Sequence, residues 1–386
     1  MPHRVLATDA QERAVLATIR CLASEGMDVT AVASSRTAPG LWSRAPSRRR
    51  LACDPQVSVE GFIADLERIV RQEPHDVILA GTDMSVAAIS RHRDRLAPYV
   101  ALGLPSPEIV DRVLNKSQLA DAARAVGLDP PEACVCSDLR TALAAADSFG
   151  YPVLVKPVQV VDEPGGDGIH RTRTELISDS RSLEALCLRL GTCIVQRRVT
   201  GHVLSVGGVA SADGLLAIVV SRYDRTWPPE AGSASFSRTI TPPPELIERV
   251  TALVSDLGWE GIFELELLEG ADGRLAAIDF NPRAFGSLAL AVGAGVQLPA
   301  IWCDWLLGTP QTPSSARTGV GYRWEDADVR HLVWQLRHHH ARAAVAVLKP
   351  QRDVFNAYFR ASDPLPSLAR GVELLGRARV KVRTSG

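Results

Sequence analysis

The chain has no apolar run long enough to cross a bilayer, and Arg4, Asp9, Glu12 and Arg13 interrupt its first residues, so neither a spanning helix nor a signal peptide is expected. It also lacks a dominant charge. With 43 Lys+Arg against 44 Asp+Glu the formal charge is −1, which removes any whole-chain case for binding nucleic acid or an anionic membrane. The one basic run, residues 44–50 (RAPSRRR), reads as a solvated loop. Paired metal-ligand spacing is missing as well: the seven cysteines are scattered, and Cys134 and Cys136 form only a Cys-x-Cys, which supports neither a zinc site nor a disulfide framework. His338, His339 and His340 fall in a predicted helix, where successive side chains diverge around the axis, and read as a solvated face. No internal repeat is present. What remains is an ordinary globular composition, 46% apolar and 23% charged, over 386 residues, enough for two or three domains. A reduced, cytoplasmic protein is expected.

The pattern along the chain predicts an α/β fold. Residues 3–9 form a short apolar strand, an amphipathic helix runs to about Glu25 with Gly26 as its stop, and a second strand covers 28–33. The unit repeats at 62–72 (helix) and 76–80 (strand), so a Rossmann-like parallel sheet covered by helices is expected over 1–110. Ligands of such sheets sit beyond the carboxyl ends of strands, which draws attention to Asp9 and to Gly81-Thr82-Asp83. For Asp9 and Asp83 two readings stand side by side, a helix N-cap or a substrate contact. The first turn lacks Gly-x-Gly-x-x-Gly, so no dinucleotide fingerprint is present.

Pro105 and Pro107 mark a boundary near residue 110. Predicted elements follow as helices at 115–127 and 139–149 and strands at 152–156, 193–196, 203–209 and 215–220, with Asp213-Gly214 as a hairpin turn. A helix at 244–257 then precedes two strands, 261–268 and 275–280, joined by a turn at 270–273. A Thr/Pro/Ser-rich linker follows Gly308 and leads to a C-terminal helical appendage, 309–386.

The sharpest chemical signal is the hairpin. Asp279 and Asn281 are two residues apart on one strand and so share a face, and pairing around the turn brings Glu266 opposite them. Oxygen ligands of this type suit Mg²⁺ or Mn²⁺ with phosphate oxygens completing the shell. Arg283 continues the alternation with a fork suited to phosphate or carboxylate. The other reading is that Asp279 and Asn281 cap a turn before Pro282.

Residues 278–283 (IDFNPR) followed by 284–296 (AFGSLALAVGAGV) resemble the core signature of the ATP-grasp superfamily, nearest to its carbamoyl-phosphate-synthase-like branch, which includes carboxylate–amine ligases. The likeness extends from Lys116 to Val296. It implies a two-lobed ATP-grasp part at 111–308, α+β in character, with a small lobe at about 111–195 and a large lobe at about 196–308. It implies Glu266, Asp279 and Asn281 as metal ligands, Lys116 and Lys156 on the phosphates of ATP, and Gly165, Gly166 and Gly168 in a loop closing over them. Gln196, Arg197 and Val199 fall on the hinge against which adenine packs. Lys156 and Arg283 take the catalytic roles, while Arg222, Arg225, Ser233, Arg283, Gly286 and Ser287 border the acceptor site.

Three positions depart from the family pattern. Arg197 stands where the hinge usually has Glu, Val203 where a Glu grips the ribose, and Asp279 where the second metal carboxylate is more often Glu. The chemistry implied is attack of a substrate carboxylate on the γ-phosphate, then displacement of phosphate by an amine. Small-molecule carboxylates and amines, amino acids or small peptides, are the implied partners, with no nucleic acid and no membrane, and a homodimer is compatible. The alternatives within the resemblance are a carboxyphosphate-forming carboxylase and a nucleotide-binding pseudo-enzyme.

Overall fold

The computed structural model describes residues 2–162, 167–172, 174–229, 232–309, 314–349 and 351–384. Near the start of the chain, β1 (Arg4–Ala7), β2 (Asp28–Ala33), β3 (Arg48–Leu51), β4 (Val77–Leu79) and β5 (Ala101–Leu102) form an all-parallel sheet in the order β3-β2-β1-β4-β5. Period-2 alternation explains how it is covered on both sides. Leu6 and Ile78 face the helices Val59–Gln72 and Asp83–Arg91, while Val5, Ala7, Val77 and Leu79 face the helix Arg13–Ser24 and the later helix Leu298–Leu306. This is the expected parallel α/β unit.

The basic run is not a solvated loop. Residues 48–51 are the edge strand β3, and its arginines are tied down: Arg48 pairs with Asp28 at 2.7 Å, Arg50 with Glu73, and Arg49 donates to the Leu41 and Ser43 carbonyls. Charged side chains on an edge strand also discourage pairing with another chain.

A second, smaller sheet has the order β10-β7-β11-β6, built from β6 (Ala133–Cys136), β7 (Val153–Pro157), β10 (Glu175–Ile177) and β11 (Cys193–Arg197). A separate antiparallel pair, β8 (Val161–Asp162) and β9 (His170–Arg171), packs against the helix Asp83–Arg91 of the first unit. The largest sheet has seven strands in the order β16-β15-β12-β13-β14-β17-β18. These are β12 (His202–Ser211), β13 (Gly214–Trp227), β14 (Ser233–Thr239), β15 (Gly261–Glu269), β16 (Leu275–Asn281), β17 (Gly321–Arg323) and β18 (Val354–Asn356). On β15 the odd positions Phe263, Leu265 and Leu267 are buried in the core with the helix Pro244–Leu257, which leaves Glu264 and Glu266 on the other face.

The C-terminal segment is not purely helical, because β17 and β18 extend the large sheet. The histidine run is also not in a helix interior: the helix Glu325–Arg337 ends before it, and His338 stacks on Trp334 at 4.2 Å in the following turn. Among the described residues no helix is long and apolar enough to cross a membrane.

Candidate active site

The predicted hairpin forms, and its register decides the site. In the β15–β16 ladder Glu266 lies opposite Asp279 and Glu264 opposite Asn281, with a bulge between Glu266 and Leu267. All four side chains line one cavity of about 230 Å³. Glu264 was not anticipated from the sequence, although it shares a face with Glu266 by simple alternation. It is buried, accepts from Ser205 Oγ at 2.5 Å and from Asn281 Nδ2 at 3.0 Å. The Tyr223 hydroxyl donates to Glu266 at 2.7 Å.

Three carboxylates in one enclosed space disfavour full ionisation. Burial, then repulsion from Glu264 and Asp279, pushes Glu266 up to about 8. Burial also raises Glu264. For Asp279 burial is outweighed by Lys116 and Lys156, which hold its carboxyl below the usual range. Lys116 Nζ donates to Asp279 at 3.0 Å and Lys156 Nζ to the Ile278 carbonyl at 3.2 Å. Burial, then the charge of Lys116, brings Lys156 down to about 8.

Both lysines line a second cleft of about 70 Å³, together with Gln196, Val135, Ile194 and Ile278, and Lys116 links it to Asp279 of the carboxylate cavity. Gln196 is buried there, and its Oε1 has no hydrogen-bond partner. An apolar slot with an unpaired acceptor, leading past two lysines to clustered carboxylates, suits a flat heterocycle carrying phosphates and a divalent cation. Among the described residues no group of three His, Cys, Asp or Glu is spaced to hold a metal alone. That fits Mg²⁺, which uses one or two carboxylates and takes its remaining ligands from phosphate and water. Glu266 and Asp279 suit this role. Asn281 Oδ1 already accepts from Arg283 at 3.0 Å, leaving one lone pair.

The remaining expectations divide. Arg283 is in the cavity, but its fork is engaged by Asp83 at 2.7 and 2.9 Å. Asp83 is not a helix N-cap: Thr82 caps that helix, and Asp83 serves Arg283 and, at 3.2 Å, Arg171. Asp9 is neither cap nor substrate contact, since it accepts from Thr8, Ser85 and the Gly81 amide and ties two strand ends together. Gly286, Ser287 and Ser233 line the carboxylate cavity.

Arg222 and Arg225 do not line it. Arg222 is exposed, being one step out of phase with Tyr223, and Arg225 makes a two-pronged pair with Asp328 at 2.9 and 2.8 Å. Arg197 and Val199 do not line the cleft either. The Arg197 side chain runs outward to Glu132 at 3.0 Å, and Val199 is 39% exposed. Gly165 and Gly166 lie outside the described residues. Gly168 does not face the lysines. It packs where a side chain would overlap the Gln56 carbonyl, and the Asp167 carbonyl accepts from the Val59 amide at 2.6 Å. Two cavity residues, Arg13 and Arg171, were not foreseen: they come from distant parts of the chain with no local signal.

The chain is similar to several known proteins. A family model described as "ATP-grasp in the biosynthetic pathway with Ter operon" matches residues 189–327. The carbamoyl phosphate synthase large chain of Archaeoglobus fulgidus is 25% identical over 296 residues, covering 71% of this chain and 26% of that protein. The chain therefore spans about a quarter of the length of the curated relatives it matches. An ADP complex of N5-carboxyaminoimidazole ribonucleotide synthetase superposes with a TM-score of 0.63 at 13% identity, covering 83% of this chain and 81% of that one. The L-amino acid ligase from Bacillus licheniformis gives 0.57 at 16% identity, covering 79% and 75%. These structural likenesses concern the fold.

Proposed function

We propose that this chain, which resembles the ATP-grasp superfamily, is an ADP-forming carboxylate–amine ligase acting on small amino-acid-like substrates. The observation that carries the reading is the Glu264/Glu266/Asp279 cluster facing one cavity, with Lys116 paired to Asp279 and an apolar slot lined by Lys116 and Lys156 beside it. In the proposed reaction a substrate carboxylate oxygen attacks the γ-phosphorus, and the bond to the ADP oxygen breaks. The amine nitrogen then attacks the acyl carbon, phosphate leaves, and the nitrogen releases a proton. Positioning and charge neutralisation supply most of the catalysis for such a transfer.

Lys116 and Lys156 would contact phosphate oxygens, and burial keeps both from being fully hydrated. Glu266 and Asp279 would hold Mg²⁺, which when bound neutralises charge on the phosphates. Arg283, fixed in place by Asp83, would present its outer edge to the transferring group. Gln196 would meet the base in the slot. Neither Arg197 nor Val199 has a side-chain role in this reading.

The test is incubation of the full chain with Mg·ATP and pooled amino acids, with and without bicarbonate, followed by mass spectrometry. ADP with a new amide mass is the expected result. ADP that depends on bicarbonate instead would assign a carboxylase, AMP would sink the mechanism, and no turnover with any pool would leave a nucleotide-binding protein. Glu266→Ala and Asp279→Ala are expected to abolish turnover; full activity in both overturns the metal assignment.

A further inference from the structure

Many arginines among the described residues are matched to carboxylates. Arg283 and Arg171 share Asp83, Arg225 and Arg323 share Asp328, Arg20 pairs with Asp363, and Arg370 with Asp326. Arg13 is different. It opens the helix Arg13–Ser24 at the carboxyl end of β1 and lines the carboxylate cavity. Its guanidinium lies 3.7 Å over the Trp324 ring, and its Nε donates to the Gly286 carbonyl at 3.2 Å. Among the described residues no Asp or Glu oxygen lies within 4.0 Å of it.

A guanidinium taken out of bulk water without a counter-charge is unfavourable, yet the fold enforces this one. Position 286 is glycine, and a side chain there would overlap the guanidinium. Tyr322 donates to the same Gly286 carbonyl at 2.7 Å, which fixes that peptide under Arg13. The next residue adds a second unmet group: the Ser287 side chain is only 4% exposed, lines the same cavity, and its hydroxyl has no hydrogen-bond partner. A cation without an anion thus lies next to a donor without an acceptor.

We infer that Arg13 and Ser287 bind a carboxylate of the acceptor that is not the one activated, so the amine substrate carries a free carboxylate of its own. This assignment rests on the ligase reading above. A planar carboxylate matches the guanidinium fork and leaves an oxygen for the Ser287 hydroxyl. A monoanion is favoured over a phosphate dianion, because Glu12 stands on the same rim and three carboxylates already occupy the cavity. The anchoring role the sequence suggested for Arg222 or Arg225 passes to a residue about 210 positions earlier, supplied by the helix that follows β1.

The test is calorimetric titration of the full chain, saturated with Mg·ADP, with each of the common L-amino acids and with its carboxamide. At least one acid is expected to bind about tenfold or more tightly than its amide, the discrimination available from a charge-assisted bond. Arg13→Gln is expected to erase that preference, Arg13→Lys to keep part of it, and Ser287→Ala to weaken acid binding roughly threefold to tenfold. Mg·ADP affinity serves as the folding control, and Ser287→Ala covers the case in which Arg13→Gln does not fold, since no bond within the protein is lost. Equal binding of every acid and its amide to the unmodified protein overturns the assignment, as does a preference that survives both Arg13→Gln and Ser287→Ala. ADP release on adding ATP is scored separately. An acid preference without turnover refutes the ligase and leaves the carboxylate site, whereas turnover without an acid preference does the reverse.

Discussion

Replacing Glu266 by Gln tests the electrostatics of the cavity without reference to any organic substrate. In the metal-free protein Glu266 is raised to about 8, first by burial and then by Glu264 and Asp279, against an ordinary 4.5. A carboxyl whose folded-state pKa lies above its unfolded value adds stability below the unfolded value and loses it as pH rises through the folded one. The window is therefore about pH 4.5 to 8. At ~1.4 kcal/mol per tenfold, the whole effect is on the order of 5 kcal/mol. The amide of Gln carries no such dependence. At pH 9 the variant is expected to be the more stable protein, by about 5 °C in Tm for a chain of this length. At pH 5 the two should be close. Magnesium should reverse the order, because a bound cation stabilises the ionised cluster, and its effect on the unmodified protein should grow from pH 6 to 9. Scanning calorimetry of both proteins at pH 5, 7 and 9, with and without Mg²⁺, measures all of this. A Tm difference independent of pH, or equal stabilisation of Glu266→Gln by Mg²⁺, would refute the reasoning.

Lys156→Met concerns the opposite sign of charge. Burial and Lys116 bring Lys156 down to about 8, so its charged form costs stability below that pH and the cost fades as pH rises towards 10.5. At pH 7 the Met variant should gain on the order of 3 kcal/mol in urea unfolding while losing at least roughly tenfold in ATP affinity by titration; a destabilised variant that still binds ATP contradicts both claims. Asp83→Asn should act on folding. Although burial opposes it, Arg283 and Arg171 hold the Asp83 carboxyl below the usual range, so its contribution is present near neutrality and is lost as pH falls through that depressed value. Removing it strands two arginines at a cost of about 3–5 kcal/mol, and a chemical-denaturation midpoint unchanged at pH 7 would count against the pair as a structural tie.

Much of the candidate site was readable because it is written locally. The strand and helix periods located β1, β2, β7, β11, β15 and β16 within a residue or two. The i, i+2 spacing of Asp279 and Asn281 gave their common face, and the short turn at 270–273 left little freedom in which residue of β15 they would meet. Glu264 could have been found by the same rule. Other elements carried weak signals. β3 is four residues of mostly arginine, β14 is rich in serine, and β17 and β18 are three residues each, so none shows a strand-like apolar pattern.

By itself the sequence determined which strands carry the carboxylates and lysines, and on which face of each strand they lie, because side-chain alternation is a property of the backbone within one element. Whether an arginine is free or neutralised depends instead on which carboxylate another element delivers to within 3 Å, and only the tertiary structure decided that. It gave Asp83 to Arg283 across 200 residues, Asp328 to Arg225 across 103, and, among the described residues, no carboxylate to Arg13. Coulomb and desolvation energies follow distance in space, not separation along the chain. Hence the metal end of the cavity was legible from one hairpin, while the acceptor end exists only where the first sheet meets residues 286 and 287.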